Sequence, residues 1–481
     1  MSASPTEGSP SVLWICTDQH RFDTLGCAGA DFIDTPHIDA LAADGVRFDR
    51  AYCQAPVCTP SRASFLTGRY PSATNVRTNG QPIPRSERLV TAMLAEEGYH
   101  CGLAGKLHIS PTNAPEEYPP HTNEPARRIE DGYGTFRWAP AHYMDVPGNE
   151  YRAWLRDRGL DYDQDPHSDT EHVSIGPDAD HQHTTWCADR AIDFLRHRSD
   201  ADAPWLFSLN FLDPHHPWDP APAYLDKYEQ RLDDLPTPNY EPGELDDKPT
   251  IQRLNTEPEF AGMDEHDHRM RWAATCAMVD LIDDQVGRIL ETLDATGQRD
   301  DTIVVFMADH GELHGDHGNY RKGPYFYEPS VRVPLLFSGP GIESGVETDA
   351  LVELLDIAPT LLSAADIDPP LGMQGQSLWP VLAGDRDDHR ADVYCSHLAA
   401  QSPHELDSPR LHSMLRTPQY KLVRHHGTDE GELYDLDADP KETHNRFEDP
   451  EYHDVRLELT TRMTDRMAAT ADPEPENTGR W

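Results

Sequence analysis

Four short apolar runs, each followed at once by polar residues, constrain the fold of this chain more than any other feature. The runs are Ser11–Thr17, His100–Ala104, Trp205–Phe211 and Thr302–Ala308. Runs of this length and composition are typical of buried strands in a parallel sheet. Helical patterns lie between them, and the clearest spans Trp272 to Leu293 with apolar residues three or four apart. We therefore predict an α/β fold with a large, doubly wound, mostly parallel sheet flanked by helices.

The segments outside these runs suggest how the rest of the chain is organised. Ser110–His183 and Asp213–His268 are rich in Pro, Asp and His and show little periodicity, so we predict long irregular insertions over one face of the sheet. Short strand-like pieces such as Tyr420–Arg424 and Glu432–Leu436 predict a small C-terminal α+β domain with an antiparallel sheet. The predicted domains are residues 1–385 and 386–481.

The charge balance restricts the partners and the environment. The 481 residues include 85 acidic and 41 basic side chains, for a net charge of −44. Such a surface repels nucleic acid and anionic membranes, so we expect neither as a partner, and it suits a halophilic protein at high salt. The first apolar run is too short for a signal or membrane helix, and Met1–Pro10 lacks a basic region, which favours a cytoplasmic location.

The polar residues that follow the four runs indicate a shared site. Asp18-Gln19 follows the first run, Lys106 and His108 the second, His215 the third and Asp309-His310 the fourth. In an open α/β sheet, ligands bind outside the carboxyl ends of the strands. A set of oxygen ligands with one imidazole suits a divalent cation, for which Ca²⁺, Mg²⁺ and Mn²⁺ are the candidates. Each residue taken singly fits an ordinary loop position or helix cap equally well.

Cys58 lies where a helix is predicted to begin. Thr59 can act as the N-cap with Pro60 at the first helical position, so Cys58 would lie at a helix N-terminus that favours an anion. Two readings remain for this residue from its local sequence alone. It is either a small buried hydrophobe or a thiolate nucleophile.

The run that starts at Cys58 carries a family resemblance. Its letters, C-T-P-S-R-A-S-F-L-T-G-R, resemble the signature C-x-P-S-R-x-x-x-L-T-G of the type I, formylglycine-dependent sulfatases of the alkaline phosphatase superfamily. Further segments resemble family motifs: Asp18-Gln19, Gly105-Lys106-Leu107-His108, Asp309-His310-Gly311-Glu312, Lys322-Gly323-Pro324 and Glu432-Leu433-Tyr434-Asp435-Leu436. Gln19 and His310 stand where many sulfatases have Asp and Asn, as in branches similar to choline sulfatases and phosphonate monoester hydrolases.

The resemblance implies an activity and a set of residue roles. A formylglycine-generating enzyme would oxidise Cys58, and the hydrated formylglycine would attack a sulfate ester beside one divalent ion, with Ca²⁺ expected first. The implied metal ligands are Asp18, Gln19, Cys58, Asp309 and His310. The implied catalytic residues are Cys58, Arg62 to steady the nucleophile, His108 as base, Lys106 and Lys322 on the sulfate, and His215 on the leaving oxygen. His216 is an adjacent alternative to His215.

Other functions stay open from the sequence. A phosphonate monoester or phosphodiester hydrolase would use the same nucleophile, and an inactive relative would only bind sulfated ligands. The substrate class is a small-molecule or saccharide sulfate ester, and the oligomeric state is left open. Lysine is scarce, with six in the chain, of which Lys106 and Lys322 fall in the motifs. We predict that the other four are surface residues: Lys227, Lys248, Lys421 and Lys441.

Overall fold

A nine-stranded sheet and a four-stranded sheet form the framework of the computed structural model, which describes residues 8–111, 129–201, 203–255, 260, 262–399 and 410–473. The strands are β1 Ser11–Thr17, β2 Gly45–Tyr52, β3 His100–Gly105, β4 Tyr133–Trp138, β5 Asp165–Pro166, β6 Ser174–Ile175, β7 Trp205–Asn210, β8 Thr302–Ala308, β9 Arg332–Val333, β10 Leu335–Ser338, β11 Val346–Glu353, β12 Val393–Ala399, β13 Arg410–Arg416, β14 Tyr420–His425 and β15 Gly431–Asp435. The helices are α1 Pro36–Ala43, α2 Cys58–Thr67, α3 Pro71–Thr74, α4 Val90–Glu96, α5 Glu150–Asp157, α6 His183–Arg198, α7 Pro222–Glu229, α8 Thr250–Asn255, α9 Glu265–Ala295, α10 Glu328–Val331, α11 Ile357–Ala364, α12 Trp379–Leu382 and α13 His453–Ala469. None of these helices combines the length and apolar character needed to cross a membrane.

The large sheet is mostly parallel, as predicted. Its strand order is β11-β2-β10-β8-β1-β7-β3-β4, with β9 paired to β2. Only β9 and β10 run against the other strands of this sheet. The four strands predicted from apolar runs are β8, β1, β7 and β3, and they are neighbours in that order. Their carboxyl ends therefore meet at one edge.

Residues on β1 and β8 alternate between two buried faces. Trp14 and Val305 pack in the core that includes residues of α2, α4 and α11, whereas Ile15 and Phe306 pack in the core that includes residues of α1, α6 and α9. A strand covered on both faces reads as a continuous apolar run, which is why the sequence located these strands so well. Helix α9 begins earlier than predicted because Asp264 caps it, and its first turn is polar.

The prediction of a small antiparallel sheet is confirmed by β12 to β15, which pair in chain order. One face packs on α13 through residues such as Leu422 and Leu459. The opposite face turns toward the large sheet, and Met414 and Val423 join the main core there. Side chains on that inner face are therefore buried, whatever their polarity.

The prediction of an irregular insertion over Ser110–His183 is wrong for two stretches of its described part. Tyr133–Trp138 forms the edge strand β4, and Glu150–Asp157 forms helix α5. The edge strand was missed because its central residues are half-buried or exposed and include Arg137, so it presents no apolar run. Residues 112–128 of this segment lie outside the described residues.

Candidate active site

The polar residues predicted at the strand ends do come together. Asp18 follows β1, Lys106 follows β3, His215 follows β7 and Asp309 follows β8, while α2 brings Cys58 to the same place. All five side chains are buried. The carboxyl edge of the parallel strands thus gathers one thiol, two carboxylates, a lysine and a histidine.

The helix that carries Cys58 begins two residues earlier than predicted. The N-cap is Val57 in an extended conformation, so Thr59 lies inside the first turn and is not the cap. The backbone N–H of Thr59 donates instead to Oδ1 of Asn79, at 2.9 Å. Pro60 is tolerated because first-turn N–H groups lack helical partners. Every residue of this helix is buried, which fixes the thiol firmly at its N-terminus.

Arg62 joins the two carboxylates. Its Nη2 lies 3.0 Å from Oδ2 of Asp18, and its Nε lies 2.8 Å from Oδ2 of Asp309. A third N–H donates to the carbonyl oxygen of Lys106, at 2.8 Å. Burial and the neighbouring Cys58 would raise the pKa of Asp18, yet the charges of Lys106 and Arg62 hold that pKa below its usual range. Lys106 and Arg62 therefore keep Asp18 ionised, and Arg62 fixes the orientation of both carboxylates.

Cations surround the thiol of Cys58. The Nζ atoms of Lys322 and Lys106 lie 3.1 and 3.5 Å from its Sγ, and Nε2 of His310 lies 3.2 Å away. Burial raises the pKa of the Cys58 thiol, but the charges of Lys106, Lys322 and His310 outweigh burial and bring that pKa well below its ordinary value. An anion is therefore stabilised at this position.

Two imidazoles flank the same atom in neutral form. Burial, with help from the charge of Lys322, lowers the pKa of His215 to about 4, and burial next to Lys106 lowers the pKa of His108. Both rings lie next to the Cys58 thiol and interact with it. His216 stacks on His215 with ring centroids 4.0 Å apart, and its Nδ1 lies 3.3 Å from Nε2 of Gln19. Between the adjacent histidines, it is His215 whose Nε2 approaches Asp18, at 4.0 Å from Oδ1.

The donor set fits one divalent cation. Ligand atoms of Asp18, Cys58, Asp309 and His310 all lie within 4.8 Å of one another. His310 uses Nδ1 to donate to the carbonyl oxygen of Gly311, at 2.9 Å, and its Nε2 lies 3.9 Å from Oδ1 of Asp18 and 3.6 Å from Oδ1 of Asp309. Two carboxylate groups and an imidazole, which would bind in its neutral form, suit Ca²⁺, Mg²⁺ or Mn²⁺.

Gln19 lies in the site but its amide is engaged by other side chains. Its Oε1 accepts from Nζ of Lys322 at 2.6 Å, and its Nε2 contacts a carboxylate oxygen of Glu312. Glu312 and Asn79 are site residues that the sequence did not single out by themselves. The position of Glu312 shortly after β8 could have marked it as a site residue. No sequence pattern marks Asn79, because it lies in an irregular loop.

Comparison with known proteins agrees with this geometry. The sulfatase family model matches residues 10–367, and the model described as N-sulphoglucosamine sulphohydrolase, C-terminal, matches residues 315–469. The chain belongs to the sulfatase family. The resemblance to sulfatases of the alkaline phosphatase superfamily is thereby confirmed, as is the prediction of an enzyme of the sulfuric ester hydrolase class.

Individual relatives of this sulfatase cover nearly its whole length. An arylsulfatase of Clostridium perfringens is 30% identical, with 92% of this chain and 91% of the relative aligned. A choline-sulfatase of Rhizobium meliloti is 29% identical, over 98% of this chain and 88% of the relative. The phosphonate monoester hydrolase of Agrobacterium radiobacter has a similar structure, with a TM-score of 0.82, 25% identity and 96% of both chains covered.

Proposed function

We propose that this sulfatase hydrolyses a sulfate ester to an alcohol and inorganic sulfate with a formylglycine derived from Cys58. One observation carries the proposal. The Sγ atom of Cys58 lies at a buried helix N-terminus, within 3.5 Å of Lys106, Lys322 and His310. An anionic group that reacts at this atom is neutralised from several directions, which is what transfer of a sulfuryl group requires.

The residues of the site divide the remaining work. Lys106 and Lys322 bind the sulfate oxygens, and Arg62 holds Asp18 and Asp309 in place next to position 58. When present, the hydrated formylglycine supplies the attacking hydroxyl group. When bound, a divalent cation held by Asp18, Asp309 and His310, with Gln19 beside them, draws negative charge from the reacting oxygens.

The two neutral imidazoles act on opposite sides of the reaction. His108 accepts a proton at position 58 in the step that releases sulfate, because its lowered pKa keeps the ring neutral and the ring lies next to that residue. His215 and the ammonium group of Lys322 stabilise the leaving oxygen, and the ammonium group donates the proton that this oxygen takes up. The Nζ atom of Lys322 lies 3.1 Å from Sγ of Cys58, within reach of the reacting atom.

Hydrolysis of a phosphonate monoester is the second candidate. The structural similarity to a phosphonate monoester hydrolase and the presence of Gln19 and His310 favour it. A sulfated saccharide or a small aryl or alkyl sulfate fits the first candidate, in line with the named activities of the relatives. We propose to separate the two by measuring kcat/KM for an aryl sulfate and for an aryl phosphonate monoester with the same leaving group. The ester with the larger kcat/KM identifies the reaction that the enzyme catalyses. Binding of sulfated ligands without turnover of either ester would favour an inactive relative.

The modification of Cys58 is tested by mass spectrometry. Trypsin releases Ala51–Arg62, which contains Cys53 as well as Cys58, so Cys53 serves as an internal control. After alkylation of free thiols, we expect one alkyl group on this peptide, on Cys53, and a mass about 18 Da below cysteine at position 58. Two alkyl groups on protein from its native host would show that a formylglycine-generating enzyme does not act on it, and the proposal would fail.

A further inference from the structure

The prediction that four lysines lie at the surface is wrong for two of them. Lys227 and Lys441 are exposed or half-exposed, but Lys248 and Lys421 are buried. Lys421 lies on the inner face of the small sheet, where alternation along β14 points it toward the large sheet. In a chain with so few lysines, a fully buried one needs a physical reason.

Lys421 holds one short segment of the catalytic region. Its Nζ donates to the backbone carbonyl of Phe326 at 2.9 Å, and it lies 2.8 Å from Oε1 of Glu328 and 2.6 Å from Oε1 of Glu442. The second oxygen of Glu442 accepts from the backbone N–H of Glu328, at 2.7 Å. The segment from Phe326 to Glu328 is thus held by two side chains, one on the small sheet and one in the loop that follows its last strand.

The same segment is held from the large sheet as well. The hydroxyl group of Tyr52, at the end of β2, donates to Oε2 of Glu328 at 2.9 Å. Lys421, Arg416 and Arg332 lower the pKa of Glu328 to about 2 although burial would raise it, so this carboxylate stays ionised as the hub of the network. Removal of one member leaves the others buried with unmatched charge.

This segment begins four residues after Lys322. Lys322 is only partly buried, yet its Nζ lies 3.1 Å from Cys58 and 2.6 Å from Oε1 of Gln19. Gly323, with φ of 147°, turns the chain between Lys322 and the buried aromatic residues that follow. A lysine side chain is long and flexible, so the position of its charge depends on how firmly its backbone is held.

We infer that Lys421, paired with Glu442, is a positioning residue for Lys322. The small sheet thereby sets the distance between an active-site cation and the reacting atom, although it supplies no group that touches that atom among the described residues. This inference rests on the proposed function, in which Lys322 binds the sulfate and stabilises the leaving oxygen. A buried ion pair is often replaceable by apolar residues without loss of stability, so a role in positioning accounts better for its presence here.

A double-mutant cycle tests the inference. Lys421→Met is expected to lower kcat/KM for an aryl sulfate on the order of 10- to 100-fold, because a small displacement of Lys322 is costly. In a Lys322→Met background the same substitution is expected to change kcat/KM by less than about twofold, since the residue through which it acts is gone. Lys227→Met is the matched control on an exposed helix, and it should leave turnover at the wild-type value.

Other outcomes decide against the inference. If the effects of Lys421→Met and Lys322→Met multiply in the double variant, Lys421 acts independently of Lys322 and the inference is overturned. Should Lys421→Met fail to fold, Glu442→Gln, which keeps the shape and removes the charge, replaces it in the cycle with the same expectation. An alkyl sulfate, with its poorer leaving group, should show a larger loss than the aryl sulfate, which a purely structural defect would not produce.

Hydrogen exchange separates a failure of this inference from a failure of the proposed function. Amides of residues 322–331 should exchange faster in Lys421→Met, while those of helix α9 stay at the wild-type rate. If the wild-type protein with formylglycine hydrolyses no ester, the proposed function fails, and the exchange measurement alone decides the inference. Unchanged exchange over residues 322–331 would overturn it.

Discussion

Two clusters of lysines inside this sulfatase have opposite surroundings. At the carboxyl edge of the large sheet, Lys106 and Lys322 converge on the thiol of Cys58, and Lys106 also pairs with Asp18 at 2.5 Å. On the inner face of the small sheet, Lys421 and Lys248 are enclosed by oxygen atoms of glutamates, a tyrosine and backbone carbonyls. In the first cluster the positive charge of the lysines acts on a reactive atom. In the second cluster the surrounding oxygen atoms neutralise that charge.

The difference shows in the proton equilibria of the two clusters. In the active site, burial raises the pKa of Cys58 but the surrounding cations lower it well below its ordinary value. In the second cluster, burial lowers the pKa of Lys248 in spite of three nearby glutamates. Burial of a lysine therefore does not by itself indicate catalysis. A role in catalysis is indicated when a reacting atom is among its contacts, and not when its contacts are only fixed carboxylates.

The largest effect is expected from a substitution at the centre of the active-site cluster. Cys58→Ala removes the atom that becomes formylglycine, so turnover of an aryl sulfate should fall by at least about 10⁴-fold. Steady-state kinetics on purified protein measures the loss. Cys27→Ala, which removes a partly buried thiol outside the active site, is the control and should keep wild-type turnover. If Cys58→Ala kept an activity within tenfold of the wild-type value, a difference of about 1.4 kcal/mol in activation free energy, the proposed nucleophile would be contradicted.

Removal of the divalent cation comes next. Chelation with EDTA should reduce turnover on the order of 10³-fold, because the cation contributes several kcal/mol of charge stabilisation. Titration of Ca²⁺, Mg²⁺ and Mn²⁺ into the depleted protein should restore it and raise the unfolding free energy by about 2.7 kcal/mol at one hundred times Kd. Full activity after exhaustive chelation, verified by elemental analysis, would rule out the predicted metal site.

A substitution in the second cluster is expected to lower the stability of the folded protein. Lys421→Met leaves Glu328 and Glu442 buried without their shared cation, so the free energy of unfolding should fall by about 3–5 kcal/mol. Denaturant titration measures it, and Lys227→Met again serves as control. A loss below about 1 kcal/mol would mean that the carboxylates find other partners or take up a proton.

Lys322→Met should cause a large loss of turnover with little loss of stability. Turnover is expected to fall by about 10²- to 10³-fold, as for loss of one group that stabilises transition-state charge. The free energy of unfolding should change by no more than about 0.5 kcal/mol, because no carboxylate lies within ion-pair distance of Lys322 among the described residues. A large loss of stability with little loss of turnover would erase the distinction between the two clusters.

The smallest expected effect concerns acid stability of the second cluster. Burial would raise the pKa of Glu432, but hydrogen bonding to His425 and the charge of Lys248 lower it to about 2. A lowered pKa contributes stability that is present above the unfolded value of about 4.3 and is lost as the pH falls toward the folded value. Glu432→Gln should therefore flatten the stability curve in this window by at most about 1.4 kcal/mol per pH unit. An unchanged slope would show that Glu432 does not titrate with unfolding there.

Prediction from the sequence succeeded where one physical signal dominated. Strands β1, β3, β7 and β8 are buried on both faces and carry continuous apolar runs, so their positions and the shared edge at their ends could be predicted. It failed for β4, whose residues are half-exposed, and for the N-cap of α2, where Val57 and not Thr59 takes the cap position. Side-chain capping propensity could not reveal that the extended backbone before Cys58 determines where the helix begins.

The sequence by itself determined the family, the mostly parallel sheet and the set of residues that reach its carboxyl edge, because these depend on local apolar patterns and a short contiguous motif. Only the tertiary structure decided that His215 rather than His216 approaches Asp18, and that Lys421 and Lys248 are buried. The physical reason is that burial and ion pairing of a polar side chain depend on residues from other parts of the chain, such as Glu328 and Glu442 for Lys421. Alternation along β14 places Lys421 on one face, but the packing of the small sheet against the large one makes that face interior.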